Sequence, residues 1–144
     1  MLAAFRSKYE MQFAARLDEL GVRYDYEAYK LNYFVRVPGA YCAECGGREV
    51  YKQGWYLPDF WLPDYGLLVE TKGRFTSRDR AKIQAVVEAH PDERLIMVFM
   101  SDNKLAKQST TRYSEWTAKK SIPSLVKSPA ALRSLKLEEI TTLV

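Results

Sequence analysis

Two short apolar runs joined by a turn, each with an acidic residue built into it, constrain this chain more than any other feature. The first is Trp55-Tyr56-Leu57-Pro58-Asp59-Phe60-Trp61 and the second is Leu67-Leu68-Val69-Glu70-Thr71-Lys72. Aromatic, aliphatic and β-branched residues in such runs read as extended backbone. Between them, Leu62-Pro63-Asp64-Tyr65-Gly66 has turn chemistry: proline presets φ, aspartate bonds locally and glycine accepts a positive φ. A hairpin is the expected result. Strand side chains alternate between faces, so Glu70 and Lys72 share one face while Val69 and Thr71 take the other. With Asp59 on the matching face of the neighbouring strand, two carboxylates and an ammonium converge at the sheet surface. That oxygen-rich pair suits Mg²⁺ or Mn²⁺, one or two ions per site, rather than zinc. Such a site hydrolyses phosphodiesters. Glu-x-Lys alone recurs by chance on exposed strands; the Pro58-Asp59 element at hairpin spacing lifts it above that background.

The rest of the chain supplies a setting. At 144 residues it is long enough for one domain with a real core. Its 47% hydrophobic and 28% charged residues are ordinary for a globular protein. There is no apolar run long enough for a membrane span, and Met1-Leu2-Ala3-Ala4-Phe5-Arg6 is too short for a signal peptide, so a soluble protein of the cytoplasm is expected. The net charge of +4 permits nucleic-acid binding without demanding it. Ser7 caps a helix running to about Leu20, with Phe13, Ala14, Leu17 and Leu20 as its apolar stripe. Glu10 projects from the buried side. It either completes a capping box with Ser7 or supplies a third carboxylate to the metal site.

Val22, Tyr24 and Tyr26 alternate as a strand, as do Leu31, Tyr33, Val35 and Val37. Residues 38–54 form a polar insertion holding both cysteines. Thr76 or Ser77 caps a helix through about Ala89, and Leu95 to Met100 reads as a strand covered on both faces. A short helix from Ser114 and a last helix from Ser128 close the chain. The Val35–Val37 run, left without a partner, is expected to pair with the same run of another chain.

This order of elements, with Asp59 and Glu70-x-Lys72 on the middle strands, is similar to the PD-(D/E)XK nuclease superfamily, an α/β fold with a mixed central sheet flanked by helices. Phe5-Arg6-Ser7 with Glu10, Tyr24-x-Tyr26-Glu27, Pro58-Asp59-Phe60, Val69-Glu70-Thr71-Lys72-Gly73, Asp79-Arg80 and His90-Pro91 fall in a register that resembles the phage endonuclease I family. The run Lys104-Leu105-x-Lys107-x-Ser109-x-Thr111-x-Tyr113-x-Glu115 extends the likeness, which covers roughly residues 5 to 122. These are the Holliday-junction resolvases of short-tailed phages. The resemblance implies a catalytic set of Glu10, Asp59, Glu70 and Lys72, with Asp59, Glu70, Glu10 and the Thr71 carbonyl toward the metal. It also implies branched DNA as substrate, the cytoplasm of an infected bacterium as location, and a homodimer whose residues 1–37 are exchanged onto the partner. The insertion with Cys42 and Cys45 is longer than the family's corresponding loop.

Arg74, Arg78, Arg80 and Lys82 follow the second apolar run, and Lys104, Lys107 and Arg112 follow the last strand. Each alone reads as a solvated charge; as a group at strand ends beside a nuclease motif they are placed to hold phosphates. Cys42-Ala43-Glu44-Cys45 has the spacing of half a zinc knuckle. With no second pair in the chain, free thiols are the expectation and structural Zn²⁺ the alternative. Rival functions are a nuclease of the same superfamily with a restriction, homing or repair-nicking duty, and a DNA-binding module that has lost catalysis.

Overall fold

The computed structural model describes residues 4–143. In chain order the elements are α1 (Lys8–Glu19), β1 (Asp25–Tyr26), β2 (Leu31–Arg36), β3 (Tyr51–Tyr56), β4 (Phe60–Leu62), β5 (Leu67–Lys72), α2 (Ser77–Ala89), β6 (Leu95–Phe99), α3 (Tyr113–Lys119), β7 (Ser124–Val126), α4 (Pro129–Leu132) and α5 (Leu137–Thr141). The fold is α/β. A five-stranded mixed sheet runs β1-β4-β5-β6-β7, and β2 and β3 form a separate two-stranded sheet. β1, β4 and β5 are antiparallel neighbours, whereas β5, β6 and β7 are parallel. A parallel pair needs a crossover, and α2 supplies it between β5 and β6.

Helices cover both faces of this sheet, so its central strands are apolar on both sides. On one face α1 lays Tyr9, Phe13, Ala14 and Leu17 against Phe60, Leu62, Val69, Ile96 and Val98, with Leu132, Leu135 and Ile140 closing the layer. On the other, Phe75, Ile83, Val86 and Tyr113 pack on Leu68, Leu95, Met97 and Phe99, joined by Leu31 of β2 and Tyr56 of β3. Phe60 is fully buried, its ring 5.1 Å from Phe13 and 5.4 Å from Tyr24. It fixes the position of the residue before it, Asp59. Truncation of a ring so placed costs about 3–5 kcal/mol.

The helix ends follow local chemistry. Ser7 Oγ accepts from Glu10 N at the start of α1, and Gly21, at φ +69°, follows its end. At α2, Thr76 and Asp79 form a reciprocal capping box.

The hairpin between the two apolar runs is present, with Phe60 opposite Val69 and Leu62 opposite Leu67. Its first arm is shorter than the aromatic run, because Trp55 and Tyr56 belong to β3. β3 pairs antiparallel with β2 from Leu31↔Tyr56 to Arg36↔Tyr51. Residues 51–54, read from sequence as part of a loop, are therefore strand, and the edge formed by the Val35 run is paired within the chain. Tyr113 begins α3 buried against Phe75 and Phe99. The short strand β7 had no sequence signal, since Ser124-Leu125-Val126 is too brief for periodicity. Among the described residues, no helix is long and apolar enough to cross a membrane.

Candidate active site

The centre of the site is on β5, where Leu68, Glu70 and Lys72 point to the α2 face of the sheet and Thr71 to the other. Glu70 is 3% exposed and Asp59 1%. Asp59 sits just before β4 rather than on it, so strand alternation does not place its side chain. The backbone does: Asp59 N donates to Glu70 Oε2 at 3.2 Å, and Asp59 O accepts from Glu27 N at 3.0 Å.

Each carboxylate has one oxygen held by neutral donors and one directed to a cation. Glu70 Oε2 also accepts from the Tyr56 hydroxyl at 2.5 Å, while Oε1 lies 3.5 Å from Lys72 Nζ. Asp59 Oδ2 accepts from Thr71 N and Thr71 Oγ1, both at 2.8 Å, while Oδ1 lies 3.9 Å from Arg6 Nη2. Lys72 Nζ is also 3.5 Å from Asp79 Oδ1. The other oxygen of Asp79 caps α2 through Thr76 N and Oγ1, so the start of α2 helps to hold the lysine.

These environments set protonation. Burial pushes the Glu70 carboxyl up to about 8, and the Asp59 charge adds to the rise against the opposing pull of Lys72. Burial likewise lifts Asp59 to about 6, although the Thr71 N–H and hydroxyl favour its anion. Tyr56 is driven well above the usual range by burial and by Glu70, so it remains a neutral donor. Burial alone would lower the Lys72 ammonium, but Glu70, Asp79 and Asp59 outweigh it and raise the net value. Lys72 is therefore a fixed positive charge at neutral pH. Two buried carboxylates raised this far are short of compensating charge, which is the electrostatic setting a divalent cation relieves.

Glu10 is buried at 8% exposure, and its carboxylate does not close the capping box on Ser7. Its amide bonds Ser7 Oγ, yet its carboxylate reaches past the cap to Arg6 N at 3.2 Å and also accepts from the Tyr26 hydroxyl. It stands on the outer side of Asp59, whose pKa its charge helps to raise. Among the described residues, no three His, Cys, Asp or Glu side chains are close enough to share one metal ion. The Asp59 amide bonds Glu70, whereas Glu10 acts on Asp59 through its charge.

Arg6, Glu27, Lys30, Trp55, Lys72 and Lys82 line a cleft of about 430 Å³ that opens onto Glu70. Several of these were missed as site residues. Arg6 pairs with Glu27 at 2.6 Å as well as approaching Asp59. Glu27 holds a left-handed backbone, φ +49°, that costs an ordinary residue about 1 kcal/mol. Strain of that kind collects at functional sites. Arg6 and Glu27 were visible as parts of the motif register; nothing in sequence marked Tyr56 or Lys30.

The basic residues divide. Arg74, Lys104 and Lys107 line one open hollow of about 610 Å³ beside Gly73 and Tyr113. Lys82 belongs to the cleft, its Nζ 5.4 Å from the Tyr56 ring centre. Arg80 is committed to the Phe75 carbonyl at 2.7 Å and Arg112 to the Asp102 carbonyl at 2.8 Å. Arg78 is exposed on α2. Cys42 and Cys45 line neither hollow.

Comparison with known proteins adds context to this geometry. A family model described as Phage endonuclease I matches residues 1–127. The chain is 35% identical over 120 residues to Endodeoxyribonuclease 1 of Enterobacteria phage T3, an alignment spanning 83% of this chain and 69% of the relative. It is 34% identical over 122 residues to Endonuclease I of Escherichia phage T7, spanning 84% of this chain and 72% of the relative.

Proposed function

Because the chain belongs to the phage endonuclease I family, we propose that it is a divalent-metal-dependent endodeoxyribonuclease of PD-(D/E)XK type that hydrolyses phosphodiesters in branched DNA, four-way junctions included. The observation that supports this most is the buried Asp59–Glu70 pair with the Lys72 ammonium 3.5 Å from Glu70. A pure binding module gains nothing from two carboxylates facing a phosphate.

The oxygen donors fit Mg²⁺ or Mn²⁺. Asp59 and Glu70 offer two anionic ligands, the Thr71 carbonyl lies between Glu70 and Lys72 in the chain, and Glu10 stands beyond Asp59. Mg²⁺ is usually held by one or two carboxylates and keeps several waters, so two protein carboxylates suffice. Such an ion, when bound, polarises the phosphate and lowers the pKa of its water.

The remaining work belongs to side chains. Tyr56 and Thr71 hold the inner carboxylate oxygens, leaving the outer oxygen of Glu70 toward Lys72 and that of Asp59 toward Arg6. Lys72, kept protonated by three acids, sits where negative charge builds on the phosphoryl oxygens and orients the attacking water. Arg6 neutralises the outer side of Asp59. Arg74, Lys104 and Lys107 bind phosphates of a neighbouring arm, and Lys82 one at the cleft.

Resolution of a junction needs two cuts, hence two sites in one assembly, and a homodimer supplies them. Exchange of residues 1–37 would keep every contact between α1 and the sheet while moving it between chains, making each site composite. The cytoplasm of an infected bacterium is where such an enzyme meets its substrate. Incubation with a synthetic four-way junction and, separately, with linear duplex, in Mg²⁺ and in EDTA, tests this function. Paired, Mg²⁺-dependent incisions near the branch point are expected, with linear duplex largely spared. Equal cutting of both substrates would favour the restriction, homing or repair-nicking duty.

A further inference from the structure

The loop between β2 and β3 has a structure the nuclease reading does not use. Val37 N donates to Val50 O at 2.8 Å and closes its base. At its tip, Gly46 N donates to Cys42 O and Cys42 N to Gly47 O, both at 2.8 Å. Gly47 N donates to Cys45 Sγ at 3.4 Å, and the nearby backbone of Cys45 and Glu44 lowers the Cys42 thiol. The Cys45 sulfur therefore accepts one backbone hydrogen bond of the turn. A neutral thiol is a weak acceptor and gains little from such a bond; a thiolate gains much more.

Two glycines permit the turn. Gly46 is at φ +72°, and a Cβ on Gly47 would stand 3.3 Å from Cys45 Sγ. Packing does not account for the cysteines, since Cys45 is exposed and Cys42 only half-buried, whereas unligated cysteine is among the most buried residue types.

We propose that Cys42 and Cys45 are half of a tetrahedral tetrathiolate Zn²⁺ site, and that the same loop of a second copy of this chain supplies the other half. Ligand arithmetic points to the second copy. Structural zinc takes four Cys or His ligands, and this chain has two cysteines and one histidine. That histidine, His90, has Nε2 2.7 Å from Asn32 O. With β2 and β3 paired, within one chain or across an exchanged dimer, the loop leaves Tyr41 69% exposed beside the cysteines and accessible to its own copy. Two such loops around a twofold axis present four sulfurs to one ion, an isologous contact in which each loop plays the same part. Arg48, next to the glycines, offsets the net negative charge of four thiolates around a divalent ion.

The site is separate from the carboxylates, so its test is read without cleavage. The full chain carrying Asp59→Asn, which removes the competing acidic site, is equilibrated with Zn²⁺ and dialysed. Elemental analysis then gives the metal content. One Zn²⁺ per two chains is expected, with native mass spectrometry placing the ion in the dimer. Replacement by Co²⁺ should give the thiolate charge-transfer and intense visible bands of tetrahedral tetrathiolate cobalt. Cys42→Ser and Cys45→Ser should each abolish both signals. Absence of retained zinc in the Asp59→Asn chain, one ion per chain, or a Cys42–Cys45 disulfide under these conditions would overturn the proposal, whatever the nuclease assay reports.

Discussion

Titration of the metal-free protein between about pH 5 and pH 8 should expose the cost of the carboxylate pair directly. Glu70 is raised from an ordinary 4.5 to about 8 and Asp59 from 3.8 to about 6, both chiefly by burial. A carboxyl raised on folding binds more protons in the folded chain than in the unfolded one. Its contribution to stability is complete below the unfolded value and disappears as pH rises through the folded value. One pKa unit corresponds to about 1.4 kcal/mol, so the window from about pH 5 to about pH 8 should remove roughly 3–5 kcal/mol. Glu70 supplies most of it, because its shift is the larger and spans the window, whereas that of Asp59 ends near pH 6. Asp79 and Glu139 are shifted downward, so their contribution is lost only as pH falls below this window. Urea midpoints measured in EDTA across the window should therefore fall as pH rises. Glu70→Gln should flatten the profile to roughly 1 kcal/mol, the remainder due to Asp59. Added Mg²⁺ should restore stability most at the alkaline end, where both carboxylates are ionised. A metal-free profile that is flat or rises with pH would refute the assignment of Glu70 and Asp59 as uncompensated buried acids.

Three other outcomes are expected. Lys72→Ala should reduce cleavage at least a hundredfold while lowering stability by only about 1 kcal/mol, the scale of a partly exposed ion pair; wild-type turnover would make Lys72 an ordinary strand residue. Lys104→Ala combined with Lys107→Ala should weaken junction binding and reduce the slope of log affinity against log salt by about 2, roughly one for each phosphate no longer neutralised; an unchanged slope would leave the hollow beside Gly73 without a role in binding. Mixed dimers of a Glu10→Gln chain with an Asp59→Asn chain should nick one strand without resolving junctions if residues 1–37 are exchanged, because one site collects both lesions; fully inactive mixed dimers would rule out composite sites.

The sequence disclosed what depends on short-range periodicity and failed where tertiary context decides. The turn at Pro63 to Gly66 and the aliphatic run after it specified the β4–β5 hairpin, and alternation alone put Glu70 and Lys72 together. Thr76 or Ser77 was legible as the cap of α2, although the reciprocal bond from Asp79 was not. Asp59 was identified by spacing, but its orientation comes from the two Thr71 donors, from its own amide bonding Glu70 and from the anchoring of Phe60, none of which has a period. Glu10 was legible as a buried acid, whereas the diversion of its carboxylate to Arg6 N and Tyr26 depends on a residue sixteen positions downstream. Tyr56 read as part of one aromatic run with Phe60, yet the chain turns between them and divides that run between two sheets. Its hydroxyl then becomes the partner of Glu70.

If the Asp59–Glu70 pair is the catalytic centre, parallel cleavage and gel-shift assays on Asp59→Asn and Glu70→Gln reveal it directly. Each variant removes an anionic ligand and also lowers the negative charge facing DNA. Loss of junction cleavage in Mg²⁺ with binding retained or tightened is the expected result. A Glu70→Gln protein that still cleaves four-way junctions at the wild-type rate would contradict it.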